Sequence, residues 1–391
     1  MKPAFYEFIC PVKILSGRKA LANLPYELTQ LGSSRPLVIT DKGVAGAGLL
    51  DKVLASFADS EIRPALVFDE VPVDSSNRVC NKVAKLFVEN ACDAIVALGG
   101  GSVLDTAKGV NIVVSEGTDD LLKFQGVDRL KAAMRPMIAI PTTAGTGSEV
   151  TAAAVIYNEE RGVKMAFIST KLYPHVALLD PTMTATMPPK ITAATGMDAL
   201  THAVEAYTCL QKNPVSDAFA LSAIQLIARW LPLAVEKGGE EEARIRMADA
   251  ALLAGIAFSN SMVGLVHALA HATGGVAHVP HGVANSILLP WVMEYNIPKA
   301  ADALAEIAGF LGEKTEGLSA PDAAKKAVEA VRALTEKLNK ISGLPLRLSQ
   351  AGVTEDKLAL IAKAAVNDGS LTYNPEEATV EDCLALLRKA F

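Results

Sequence analysis

The sequence predicts two domains of different class, an α/β domain over residues 1–181 and an all-α domain over residues 182–391. Three observations carry that reading. Short uninterrupted apolar runs recur through the first half, each followed by a Gly- or polar-rich turn and then a stretch of helical spacing, which suits strands buried on both faces of a parallel sheet. After Asp180-Pro181 those runs give way to long Ala/Leu-rich segments with a period of about 3.6. Asp180-Pro181 and Met187-Pro188-Pro189 interrupt regular structure at the join.

In chain order, the predicted strands are Leu37-Val38-Ile39-Thr40, Ala65-Leu66-Val67-Phe68, Ala94-Ile95-Val96-Ala97-Leu98, Met137-Ile138-Ala139-Ile140 and Val176-Ala177-Leu178-Leu179. Their alternation with helical stretches predicts a doubly wound sheet covered on both sides. In the second half, Phe219, Ala223, Leu226, Ile227 and Trp230 share one helix face. Ala324, Val328, Val331, Leu334 and Leu338 share another, with Ser319 and Gly343 placed to cap it. The sequence shows no repeat of fixed period and no low-complexity tract.

Half of the 391 residues are apolar and a fifth are charged, with formal net charge −6. That balance excludes a disordered or collagen-like chain and predicts a soluble globular protein. With no long Lys/Arg run, it offers no electrostatic footprint for nucleic acid or an anionic membrane, which leaves small-molecule chemistry. Cys10, Cys80, Cys92, Cys209 and Cys383 are scattered without a CxxC pair, as expected of reduced thiols in the cytoplasm. The start, Met1-Lys2-Pro3-Ala4-Phe5-Tyr6-Glu7, lacks the apolar core of a signal peptide, and no run approaches about 18 uncharged apolar residues.

Two loops suggest a cofactor. Gly99-Gly100-Gly101-Ser102 lies between a predicted strand and a predicted helix, where glycines admit a close ligand and the helix start attracts phosphate. It is neither GxGxxG nor a Walker loop, and a tight turn capped by Ser102, with Asp105 as a first-turn acid, accounts for it equally well. Pro141-Thr142-Thr143-Ala144-Gly145-Thr146-Gly147-Ser148-Glu149 follows a second buried strand, and two such loops on one sheet suit one extended dinucleotide. Asp41, directly after the first predicted strand, can accept from ribose hydroxyls and repel a 2′-phosphate, favouring NAD over NADP; an Asx turn before Gly43 is the competing reading.

Four of the six histidines, His267, His271, His278 and His281, fall within fifteen residues. Asp198 and His202 stand four apart on a predicted helix, as do His267 and His271 in a wholly apolar neighbourhood. Inward-facing imidazoles without local partners call for an ion, and His281 can complete an Asp-plus-three-His set. His278 and His175 are read as surface or core residues. Such an N/O set suits Fe(II), Zn, Co or Ni, and an ion with an open position is a Lewis acid for an alcohol or carbonyl oxygen. Dinucleotide and Lewis acid together point to hydride transfer.

These residues resemble the iron-dependent (group III) alcohol dehydrogenases over nearly the whole chain. The likeness runs through Thr40-Asp41-Lys42, Gly99-Gly100-Gly101-Ser102 with Asp105 and Lys108, Pro141 to Thr146, Lys164, Leu178-Leu179-Asp180-Pro181, Pro188, Gly196 to Glu205, and His267 through Pro280-His281-Gly282. The resemblance implies a Rossmann-like NAD-binding domain, a helical metal-binding domain of the dehydroquinate synthase-like fold, and metal in the cleft between them. It places the metal ligands on Asp198, His202, His267 and His281. It places cofactor contacts on Asp41, Gly100, Gly101, Ser102, Thr142, Thr143, Thr146 and Lys164. His271 becomes the non-ligating histidine, a candidate to relay the substrate proton. The expected activity is metal-dependent, NAD-linked interconversion of a small primary alcohol or diol and its aldehyde, by Fe(II), Zn or another divalent ion, in a homo-oligomer. Two departures from the family pattern concern the substrate: Asn374-Pro375-Glu376 has an acid where Arg often follows Asn-Pro, and Ala153, Phe258 and Ser370 stand where relatives shape the pocket. The alternatives are a glycerol dehydrogenase-like zinc enzyme, against which His202 argues, and a non-enzymatic NAD- or metal-binding protein.

Overall fold

Val, Ile, Leu and Ala in unbroken runs form strands here because both faces of the sheet are covered, so no polar alternation is needed. A computed structural model of the chain describes residues 5–391. Met1 to Ala4, the start of the predicted first domain and of the stretch read as lacking a leader, lie outside the described residues. The chain divides into two units.

The first unit comprises Ile9–Thr143 and Gly147–Thr186. Its strands are β1 (Lys13–Ser16), β2 (Pro36–Ile39), β3 (Leu66–Phe68), β4 (Ala94–Gly99), β5 (Gly126–Val127), β6 (Met137–Pro141), β7 (Ala153–Asn158), β8 (Val163–Ile168) and β9 (Val176–Leu179). Six of them form a parallel sheet in the order β1-β9-β6-β4-β2-β3. All five predicted strands are in it. From β2 the chain moves to β3 on one side and through β4, β6 and β9 on the other, so the switch point lies between β2 and β4.

Among the α-helices of this unit are α1 (Leu24–Gln30), α2 (Lys42–Gly46), α3 (Leu49–Ala55), α4 (Asn77–Glu89) and α5 (Gly101–Glu116). Alternate residues of each strand feed two separate cores. Leu37, Ile39, Ile95 and Ala97 pack with Val83 and Phe87 of α4 and Leu104 and Ala107 of α5. Val38, Val96, Leu98 and Ile138 pack with Leu24 and Leu28 of α1 and Val53 of α3. The remaining strands make a small sheet in the order β5-β8-β7, in which β7 and β8 form an antiparallel hairpin. The edge strand β1 and this sheet are additions to the sequence reading.

The second unit comprises Met187–Phe391 with Ala144–Thr146 and the stretch ending at Phe8. It is built from α6 (Pro189–Thr208), α7 (Pro214–Glu236), α8 (Glu241–Ser259), α9 (Leu265–Ala277), α10 (His281–Phe310), α11 (Ala320–Ser342), α12 (Leu358–Ala365) and α13 (Val380–Ala390). On α7, Ala223 and Ile227 are fully buried, with Phe219, Leu226 and Trp230 packed beside them. Length and composition would let α7 cross a membrane, but it carries Asp217 and Arg229, and Ile224 and Leu231 also lie in this core. Ser319 accepts from the Asp322 N–H and Gly343 closes α11 with φ 72°, as its caps require.

The division falls between Thr186 and Met187 rather than at residue 181. Asp180 explains the shift. One carboxylate oxygen accepts from the Leu21 N–H at 3.2 Å and the other from the Thr182 N–H at 3.0 Å, and Met183 is buried in the core beside Leu21. The turn after β9 is thereby tied to the sheet. Ala144, inside the predicted second loop, instead belongs to the helical core.

Candidate functional site

Helical geometry assembles the acidic and imidazole side chains. Asp198, His202 and Glu205 stand at i, i+4 and i+7 on α6, one above another on a single face. His267 is in the first turn of α9 and His281 is the first residue of α10. Gly282 permits the close approach of α10 to α6, because a Cβ there would lie 2.4 Å from the Ala194 carbonyl oxygen. A side chain would push His281 away from Asp198.

As a result, one ligand atom from each of Asp198, His202, His267 and His281 lies within 4.8 Å of the others. The first three residues are buried and His281 is partly exposed. Asp198 and His202, four apart on α6, therefore face the interior and not solvent. Burial pushes the His202, His267 and His281 rings below the ordinary imidazole range, keeping them neutral. Burial works against the Asp198 carboxylate, but the polar His202, His281 and His267 rings and the Asn285 amide bond outweigh it and hold the carboxyl below its ordinary value. A carboxylate and three neutral ring nitrogens are the forms in which these groups ligate.

The hydrogen bonding of the cluster favours a cation. Asn285 Nδ2 approaches Asp198 Oδ1 at 2.6 Å, His281 Nε2 at 3.1 Å and His267 Nε2 at 3.4 Å. One amide nitrogen with two hydrogens cannot satisfy three acceptors. Among the described residues, His202 Nδ1 and Asn285 Oδ1 are buried and meet no hydrogen-bond partner. An acceptor-rich basket of this kind fits a divalent ion.

Around the cluster, His267 Nδ1 meets Glu205 Oε2 at 2.6 Å, and burial pushes that carboxyl up to about 7. His271 lies outside the four-atom cluster: its ring stacks 5.3 Å from that of His281 and its Nδ1 meets Asp368 Oδ2 at 2.9 Å. Burial works against the Asp368 carboxylate, but the His271 bond prevails and holds it at about 2. The apolar ring of Phe258 stacks on His202 with centroids 4.2 Å apart. His278 is exposed and closes α9 in a left-handed conformation, and His175 Nδ1 accepts from the Met137 N–H. Glu205, Asn285 and Asp368 were not among the predicted site residues; the spacing of Glu205 from Asp198 and of Asn285 from His281 was the available signal.

The predicted cofactor residues lie at C-terminal strand ends in the sheet unit, with two exceptions. Gly100 and Gly101 follow β4, Thr142 and Thr143 follow the adjacent β6, and Asp41 follows β2 across the switch point. Thr142 N–H donates to the Gly99 carbonyl at 3.1 Å, and a Cβ on Gly100 would stand 3.2 Å from Thr143 Cγ2. Thr146 groups with the helical unit. Lys164 lies on β8 of the small sheet, its Nζ 3.1 Å from Asp74 Oδ1. Ser102 is not the helix cap: Gly100 holds that position, and the Ser102 hydroxyl donates to the Val73 carbonyl. Asp41 does make the turn expected of it, its Oδ1 accepting from the Val44 N–H at 2.9 Å as N-cap of α2. That leaves its second oxygen for another donor.

Asp105 is a half-buried acceptor and not a first-turn acid. It takes bonds from Ser148 Oγ at 2.9 Å and the Val155 N–H at 3.0 Å. One turn along α5, Lys108 Nζ is within 3.1 Å of the Ser148 and Thr151 carbonyls, both their hydroxyls and the Ala153 carbonyl. The two side chains hold the segment that leads from the second loop into β7.

Comparison with known proteins matches residues 11–181 to the iron-containing alcohol dehydrogenase model and residues 192–391 to the C-terminal model of the Fe-containing alcohol dehydrogenase family. NAD-dependent methanol dehydrogenase of Bacillus methanolicus is 39% identical over 383 residues, covering 98% of this chain and 99% of its own. A 1,3-propanediol dehydrogenase of Klebsiella pneumoniae is 40% identical over the full length of both chains. Among solved structures, a 1,3-propanediol oxidoreductase superposes with a TM-score of 0.95 at 39% identity, covering 99% of this chain and 100% of its own.

Proposed function

Because the chain belongs to the iron-containing alcohol dehydrogenases, we propose that Asp198, His202, His267 and His281 hold its divalent ion, iron by family, and that the loops after β2, β4 and β6 hold its NAD. The protein is an NAD-linked alcohol dehydrogenase and aldehyde reductase. In the oxidative direction a hydride passes from the carbinol carbon to NAD and a proton is released. A divalent ion in the cluster supplies Lewis acidity toward the alcohol or carbonyl oxygen. The four side chains would hold it, and three neutral rings with a single carboxylate would leave a divalent charge only partly neutralised.

In the sheet unit, backbone N–H groups at Gly100 and Gly101 and the start of α5 offer donors to a pyrophosphate. Asp41 turns its unused carboxylate oxygen to ribose hydroxyls, which supports NAD over NADP. Asp41→Gly is expected to bring the NADP-to-NAD ratio of kcat/KM up about tenfold or more, by removing one charge repulsion worth about 1.4 kcal/mol; an unchanged ratio would show Asp41 to be a turn residue alone.

His271 moves the proton. With Nδ1 committed to Asp368, Nε2 is the atom that exchanges protons, and the ring is a third exposed, within reach of solvent. His271→Ala is expected to lower kcat about 10²-fold, the usual worth of a positioned acid–base group, and to alter its pH profile; full activity at every pH rules out the relay.

The substrate class we infer is a small primary alcohol or diol. The relatives named for methanol and 1,3-propanediol support it, as does the apolar Phe258 ring against His202. The single observation that carries the whole reading is the convergence of the four ligand atoms within 4.8 Å. NAD reduction by methanol, 1,3-propanediol and longer alcohols is expected in protein reconstituted with Fe(II) or Zn(II) and to vanish after chelation; no turnover in any state would refute it. We also infer a cytoplasmic homo-oligomer. Five unpaired cysteines support the compartment, and the exposed edge strand β1, with Ile14 at its surface, supports assembly, which light scattering of the purified protein would test.

A further inference from the structure

Helix α9 starts without a capping side chain. Its N-cap is Gly264, so the orphan N–H groups of the first turn must find acceptors elsewhere in the fold. Glu205, on α6, takes three of them: Gly264 N–H at 2.9 Å, Val266 N–H at 2.6 Å and His267 N–H at 3.4 Å. Asn374 Oδ1 takes the remaining one, Leu265 N–H, at 3.2 Å. A Cβ on residue 264 would stand 3.1 Å from Glu205 Oε1 and 2.9 Å from Asn374 Oδ1, so glycine is what lets both caps reach the helix.

The same carboxylate meets the ring of His267, 2.6 Å from Nδ1. Three backbone N–H groups already donate to it, so both of its oxygens are turned to their donors as acceptors. Nδ1 must therefore carry the hydrogen, which leaves Nε2 with its lone pair bare. A separate contact agrees: Asn285 Nδ2, a donor, faces His267 Nε2 from the other side at 3.4 Å. Nε2 is thus turned toward Asp198 and His281 before any ion arrives.

We propose that Glu205 is the positioning residue of the metal centre: by capping α9 and accepting the Nδ1–H of His267, it locks that ring in the one tautomer and orientation that can ligate. Because Asp198, His202 and Glu205 occupy one face of α6, a single helix supplies two ligands and the group that presets a third. The inference rests on the reading of His267 as a metal ligand. A carboxylate behind a ligating histidine raises the basicity of the ring, and its removal typically weakens metal binding about 10–100-fold.

The test measures Zn(II) affinity of the stripped protein against a chromophoric chelator, alongside melting temperature in the presence of EDTA. Glu205→Gln, close to isosteric, is expected to weaken Zn(II) binding about 10–100-fold. Asn374→Ala removes a cap bond from α9 without touching the His267 ring; it is expected to lower the melting temperature while leaving Zn(II) affinity within about twofold of wild type. In metal-free wild-type protein, ¹⁵N NMR is expected to show His267 protonated at Nδ1. Wild-type affinity in Glu205→Gln, an equal loss in Asn374→Ala, or an Nε2–H tautomer would each overturn the role of Glu205. Failure of the underlying reading looks different: wild-type protein that binds no Zn(II), or a His267→Ala variant that binds it as well as wild type.

Discussion

His267→Ala is expected to abolish metal-dependent turnover, lowering kcat/KM by about a thousandfold or more, while the protein stays folded and still binds NAD. The size follows from what the ring does. On the proposed assignment His267 would supply one of four atoms that fix the ion's position, and a Lewis acid stabilises the reacting oxygen by several kcal/mol, each 1.36 of which is a factor of ten in rate. Folding survives because Glu205 keeps its backbone donors, Gly264 and Val266, when the imidazole is removed. The cost is a small cavity and one lost charge-assisted bond, about 2–4 kcal/mol in a large helical core. Cofactor binding survives because Gly100, Gly101, Thr142 and Thr143 are built by the sheet unit. Activity against methanol and 1,3-propanediol, NAD binding by fluorescence quenching and bound metal by elemental analysis check the three parts; normal activity in this variant would refute the ligand assignment.

The contrast between what the sequence revealed and what it concealed has a physical basis at each residue. The five strands of the parallel sheet were legible because burial on both faces makes their apolar runs continuous. The β7–β8 hairpin escaped because its buried and exposed residues alternate, and in Val155-Ile156-Tyr157 the exposed position is itself apolar, so neither a continuous run nor a clean alternation is visible. The four clustered residues were legible because ligands come in pairs at helical spacing, or beside a helix start. Glu205 was not singled out, since its partners lie 59 to 62 residues away in the chain and only the fold brings Gly264 and His267 to it. Asn285 keeps the same four-residue spacing from His281 as the ligand pairs keep, but an amide is not a usual ligand. Asp105 was a first-turn acid only in the competing turn reading; with Gly100 as cap, position 105 falls beyond the first turn. Local rules find what a residue does to its own helix, whereas these three groups act on another segment.

Lys108→Met should damage the sheet unit strongly, costing about 3–5 kcal/mol and lowering the melting temperature by about 10 °C. Methionine matches the length of lysine, so packing is nearly preserved and the loss is polar. The ammonium reaches three carbonyls and two hydroxyls between Ser148 and Ala153, and without it the carbonyls lie buried with fewer donors. The charge matters as well. Burial pulls the Lys108 ammonium down to about 8, so it is still charged at neutral pH, and it opposes the burial that raises the Asp105 and Glu149 carboxyls, the latter to about 7. With Lys108 gone, both carboxyls lose their cation and rise further, so part of the loss is recovered by protonation: the variant's deficit should be largest at pH 8 and shrink toward pH 5. Because Ser148 begins where the second loop ends, the NAD Kd should rise too. Melting curves from pH 5 to 8 with and without NAD check this; a variant that melts within about 1 °C of wild type at pH 8 would show that the segment from Ser148 to Val155 is held by its other contacts, chiefly the two bonds to Asp105.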